Sequence, residues 1–172
     1  FIQNRGFGNY NIYVDNFSAG QACTITISSG VATLSVSQTG NIGQGCRITY
    51  NTSSVCYISG VTDSTHFSVV TATGGTPGNV SGQTVNSIAH EYASLSAAEA
   101  GASDANHINN TSLVTADVVL NLCCYYDHDD QTADTTACIV DGYTTDATRY
   151  INIYTPTGGT QSINRQRHSG VW

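Results

Sequence analysis

Cysteines, histidines and acidic residues are the side chains of this 172-residue chain that could carry chemistry, and their spacing limits which chemistry is open. The cysteines are Cys23, Cys46, Cys56, Cys123, Cys124 and Cys138. None stands in C-x-x-C spacing, which argues against a zinc ribbon or a dithiol redox site. Their even number fits a disulfide-bonded secreted protein. Cys46 and Cys56 flank the hairpin-like ITYNTSSV and could bridge neighbouring strands. Cys138 could meet Cys123 or Cys124, but these two point to opposite faces of a strand, so only one can face it. Buried thiols acting as small apolar core residues are the alternative.

The histidines are His66, His90, His107, His128 and His168. No H-E-x-x-H or i, i+4 pair occurs, so no zinc-protease helix is encoded, and no G-x-S-x-G elbow offers a serine nucleophile. Surface or hydrogen-bonded structural roles are expected for each. Asp127, His128, Asp129, Asp130 and Asp134 supply oxygen ligands of the kind calcium takes, yet without the spacing or the glycine of an EF-hand loop. A solvated polar loop is the preferred reading. Catalytic residues, cofactors and bound metals are all expected to be absent. N-x-S/T sequons at Asn16, Asn51, Asn79, Asn109 and Asn110 are candidate sites for covalent glycan, against the alternative that a chain this rich in Ser and Thr yields several such sequons by chance.

Charged residues make up only 10% of the chain, against about a quarter in ordinary globular proteins, so Thr, Ser, Asn and Gly must form the polar surface. All the basic residues are arginine, and the net charge is −7. No basic stripe exists to displace counterions, which weighs against nucleic acid and against anionic membrane surfaces. The sequence shows neither a secretory leader nor an apolar run long enough to insert into a membrane. Without lysine, no Lys–Asn isopeptide cross-link can form.

The elements that must position these residues are mostly strands. In residues 117–156 the runs Val118–Cys124, Ala137–Val140 and Tyr150–Tyr154 read as strands, the first apolar enough to be buried on both faces. Residues 21–88 hold further short strands: Ala22–Ser28, Val31–Val36, Arg47–Tyr50, Val55–Ile58, Phe67–Ala72 and Thr84–Ile88. A two-residue turn at Ser29–Gly30 joins the first two. Short strands with frequent turns imply a small barrel or sandwich. Near the start, Tyr10, Ile12 and Val14 alternate with Asn11, Tyr13 and Asp15, a strand that pairs within its own domain or is added to a neighbour. One helix is expected within residues 89–113, near Ser96–Ala100, capped by Ser94 or by Ser96 with Glu99 and ended by Gly101 or the SDAN segment after it.

The phrases ATLSVSQTGNIGQG, CYISGVTDSTHFSVVTATGGTPGNVSG, YASLSAAEAG and DGYTTDATRYINIYTPTGGTQSINRQRHSGVW follow one another between Ala32 and Trp172. This series resembles bacterial secreted, cell-surface proteins of environmental origin in which such segments precede a right-handed parallel β-helix. The resemblance implies an N-terminal small β-domain followed by a β-helix cap, and further coils beyond the R-H-S-G segment, where this chain reaches Trp172. The fold expected is mainly β: a small β-barrel or sandwich packed with a β-helix-like single coil or jelly-roll-like unit carrying one short α-helix. Its parts are an arm over residues 1–20, a small β-domain over 21–88 and a helix-capped unit over 89–172. An unfinished coil exposes backbone donors and acceptors that a second molecule can satisfy. The expectation is a non-enzymatic structural subunit of an extracellular fibre, its own partner, with Tyr10, Ile12, Tyr13, Val14 and Trp172 at the assembly interface. A carbohydrate-binding or adhesive module, using some of the tyrosines, is the first alternative. A polysaccharide-degrading β-helix fragment, with Arg149 as its base, is the second.

Overall fold

Alternation of inward apolar and outward polar side chains, interrupted by bulges, closes six antiparallel strands into a barrel. The structure, a computed structural model, describes residues 22–125 and 136–166 in full and residues 2–7 as backbone. The barrel strands are β2 (Thr24–Ser28), β3 (Val31–Leu34), β4 (Cys46–Tyr50), β5 (Ser54–Val61), β6 (His66–Val70) and β7 (Val80–His90), with β1 (Ile2–Phe7) lying outside it. Around the barrel the order is β2-β3-β6-β5-β4-β7, with β7 closing back on β2. Ile25, Ile27, Ile48, Ile58 and Phe67 fill the interior and are fully buried. Each contributes about 1.5–3 kcal/mol by leaving water.

Perfect alternation would leave the strands too straight to close. Register shifts interrupt it between Ile25 and Ile27, Thr49 and Tyr50, and Ile58 and Gly60. Each bulge bends its strand and changes which residues face inward, so Ile58 and Val61 on β5, and Val85 and Ile88 on β7, are all buried at odd spacing. The Ser29–Gly30 turn is as expected: both residues have positive φ, 50° and 78°, and the turn joins Ser28 to Val31.

The second unit is a three-stranded parallel sheet. Helices α1 (Leu95–Ala102) and α2 (Leu113–Ala116) lead into β8 (Val119–Cys124), and β9 (Ile151–Tyr154) follows. The order is β1-β8-β9, with β8 in the centre. β8 is covered on both faces, as its apolar run implied. Leu120 and Leu122 pack with Ala98, Ala102 and Leu113 of the helices, while Cys123 joins the barrel core. Helices, parallel sheet and barrel thus form successive layers.

Several expectations are corrected. Ser94 alone caps α1, accepting from the Ala97 amide at 3.1 Å. The helix starts two residues earlier than the Ser96–Glu99 box requires. Of the two expected helix ends, Gly101 lies inside α1 and Ser103, the first residue of the SDAN segment, is its C-cap; a Cβ at Gly101 would meet the Tyr92 ring at 2.5 Å. The short α2, capped by Ser112, was not foreseen. Ala137–Val140 forms no strand: Ile139 and Val140 are exposed and no ladder takes them up. The strand found near the chain start is β1, paired in parallel with β8 of its own chain. The expected strand around Tyr10, Ile12, Tyr13 and Val14 lies outside the described residues, as do Asn16, the acidic loop from Asp127 to Asp134, His168 and Trp172.

Candidate functional site at the seam between barrel and sheet

The barrel and the parallel sheet meet along a polar seam. Gly43 of the β3–β4 connection pairs with Ser162, and a Cβ at Gly43 would lie 2.5 Å from the Ser162 Cα, with the Gln161 carbonyl closer still. Only glycine lets the two backbones approach this closely. Backbone bonds continue the join: Gln44 N–H donates to the Gln161 carbonyl at 2.8 Å, Val61 to Thr160 at 2.8 Å, and Ile163 to Ile42 at 2.8 Å. Gln44 is the hub. Its carbonyl accepts from the Tyr125 hydroxyl at 2.7 Å, its Oε1 accepts from the Tyr154 hydroxyl at 2.6 Å, and its Nε2 donates to the Ser59 carbonyl at 2.9 Å. Three segments distant in sequence converge on one glutamine.

Beside this seam runs an open cleft of about 700 Å³, lined by Gln44, Ser59, Tyr150, Asn152, Tyr154 and Gln161 among others. Its floor is the barrel-facing side of the parallel sheet. Asn121 and Asn152 are opposite one another in β8 and β9, and the Asn152 Nδ2 donates to the Asn121 Oδ1 at 2.9 Å. Position 4 of β1 is the register partner of Asn121, so the three strands carry asparagine at one level.

The buried thiols of Cys23, Cys46, Cys56 and Cys123 are built for packing rather than reaction. No disulfide links any of the six cysteines, which corrects the expected bridges. Register explains the Cys46–Cys56 case: Cys56 lies opposite Ile48, so the two cysteines are not cross-strand neighbours. Both line the barrel interior. Cys123 and Cys124 do point opposite ways, one to the barrel core and the other to the helices. Burial pushes the Cys46 and Cys56 thiols up to about 12, and raises Cys123 as well. A thiol held protonated is a poor nucleophile and a poor metal ligand. Cys46 lies 3.5 Å from the His90 Nδ1, and His90 stacks on Tyr125 with ring centroids 4.4 Å apart. Burial raises the Tyr125 and Tyr154 phenols too, so both remain hydrogen-bond donors at neutral pH.

The described histidines have structural partners, as expected. His66 bonds Asp63 in an exposed turn. His107 is buried, 2.6 Å from Asp104 and 3.5 Å from Glu91, which in turn pairs with Arg47 at 3.3 Å. This cluster ties the end of β7 to α1. The sequence reading did not single out Glu91 or Arg47, because neither has a distinctive spacing. Arg149 donates to Asp117 at 2.7 Å and to Asp146 at 3.1 Å. Those bonds raise its pKa further, opposite to what a base requires. Among the described residues no group of three His, Cys, Asp or Glu could hold a metal ion. No helix of the described residues is long and apolar enough to cross a membrane.

Of the sequons, Asn51 and Asn109 are exposed in positive-φ turns. Asn79 is exposed and accepts from the Ser29 amide at 2.9 Å, while the half-buried Asn110 accepts from the Ser112 amide at 2.8 Å. Family models, curated proteins and solved structures were all compared with the chain, and none matches it.

Proposed function

We propose that this protein is a structural subunit of an extracellular fibre or surface appendage that assembles head to tail with copies of itself. One observation carries the reading: among the described residues, the strands with an outer edge all belong to a single parallel sheet. The barrel closes on itself and so has no edge to offer. In β1-β8-β9 the two outer strands differ, so the sheet cannot pair edge to like edge in a two-fold dimer while staying parallel. Joining one edge to the opposite edge of a copy is heterologous and propagates. The three stacked parallel strands with aligned asparagines are in keeping with a β-helix-like unit and with the surface-protein resemblance. Since β1 pairs with its own chain, cohesion in this reading rests on the outer edges of the finished sheet rather than on a donated arm.

The low charge and the Thr-, Ser- and Asn-rich surface suit an extracellular setting, and glycan on Asn51, Asn79 or Asn109 is part of the reading. An intact mass above the 18.1 kDa polypeptide would register that glycan. Light scattering and negative-stain microscopy of the protein across a concentration series test the polymer. Filaments above a threshold concentration are expected; monomers at every concentration would sink the proposal. The cleft favours one second reading, a carbohydrate-binding module, because Tyr150 and Tyr154 flank the amides of Asn152, Gln44 and Gln161. Neutral glycan binding without polymerisation, lost in Tyr150→Ala, would mark that alternative.

A further inference from the structure

We infer that the copy-to-copy joint is a β9-to-β1 parallel ladder, with Asn152 of one molecule opposite Asn4 of the next. The inference rests on the subunit reading above and names its contact. The first support is backbone direction. In a parallel ladder, alternate residues of a strand turn both N–H and C=O to the same neighbour. The Leu120 amide donates to the Tyr150 carbonyl at 3.0 Å, so Tyr150, Asn152 and Tyr154 turn their backbone groups to β8. Ile151 and Ile153 therefore turn theirs to the open edge, where no described residue meets them. The same parity runs across β8. Residues 119, 121 and 123 turn to β1, residues 3, 5 and 7 turn back to them, and residues 2, 4 and 6 turn outward.

Those two outward sets fit each other. With position 4 of an added strand opposite Asn152, its N–H reaches the Ile151 carbonyl and its carbonyl receives the Ile153 N–H. A one-residue slip would set outward-turned residues directly opposite each other and break the pattern. The second support is independent. Asn152 spends its Nδ2 on Asn121, leaving an Oδ1 that no described residue bonds. Position 4 is asparagine in the sequence and the register partner of Asn121, so this pairing sets a third asparagine at the level of Asn121 and Asn152. Stacked amides at one level favour parallel in-register strands. Ile153, 43% exposed on the helix-side face of β9, gains cover in the same contact.

The test uses the full chain. Ile153→Pro removes an outward donor while leaving every β8–β9 bond in place, and proline is tolerated on an edge strand. It should raise the critical concentration for assembly by about tenfold or more. Ile139→Pro, in an exposed segment with no ladder, should assemble as the parent does. Should Ile153→Pro misfold, amide exchange on the unaltered protein decides. In filaments the Ile151 and Ile153 amides become protected relative to monomer, while those of Asn152 and Tyr154 are slow in both states. Filaments in which Ile153→Pro assembles normally, or in which Ile151 and Ile153 stay fast, overturn this joint and leave the subunit reading standing. Absence of filaments from the parent protein overturns both.

Discussion

Gly43 shows how much one residue can decide at the seam. A Cβ there would collide with backbone at Gln161 and Ser162, and backbone cannot swing aside as a side chain can. Gly43→Ala should cost about 1–3 kcal/mol in urea unfolding. Gly78→Ala is the control: its Cβ would meet nothing within 4 Å, and its stability should match the parent. Cys46 and Cys56 make a pH prediction. Their folded pKa values, about 12, stand above the unfolded thiol value, so unfolding lets protons leave. The stabilisation is complete below about pH 8.5 and is lost as pH rises through the folded values, at up to about 1.4 kcal/mol per pH unit per thiol. Urea midpoints that do not fall between pH 8 and pH 10.5 would contradict it. The even cysteine count was legible in the sequence and its meaning was not. Six cysteines read as a disulfide framework, whereas pairing depends on register, and between β4 and β5 the turn after Tyr50 sets it. Gln44 was equally hidden, because its partners Tyr125, Tyr154 and Gln161 are brought to it only by the tertiary fold.

At the scale of elements, periodicity carried far. β2, β3, β4 and β6 were readable because they alternate, and the Ser29–Gly30 turn because two positive-φ residues suit that hairpin. β8 was readable as doubly buried from its apolar run. The reading failed where a segment's fate depends on a distant partner. Ala137–Val140 has strand composition but meets no edge, and β1 has a polar, glycine-containing sequence that becomes a strand only because β8 lies open beside it. The α1 cap was readable to within a turn. Ser94→Ala should cost about 1 kcal/mol by leaving the Ala97 amide without its side-chain acceptor, whereas Ser96→Ala should be near neutral. Equal losses at the two positions, measured by thermal unfolding, would mean that the cap is misplaced.

For the whole molecule, the proposed assembly would take its repeat from three parallel strands per copy. Strands lie about 4.8 Å apart along the hydrogen-bonding direction, so a continuous sheet advances about 14 Å per molecule. Fibre diffraction of aligned filaments should show a strong meridional reflection near 4.8 Å and a subunit repeat near 14 Å; filaments lacking the strand reflection would speak against any shared sheet. The barrel, having no edge, takes no part in the repeat and must sit to the side of it. Because β1, β8 and β9 all run the same way, the two tips of such a polymer are chemically different: one displays the Ile151 and Ile153 amides, the other displays β1. Elongation would then proceed at unequal speeds from the two tips, and a short peptide shaped like one border strand would poison a single tip while the opposite one kept growing.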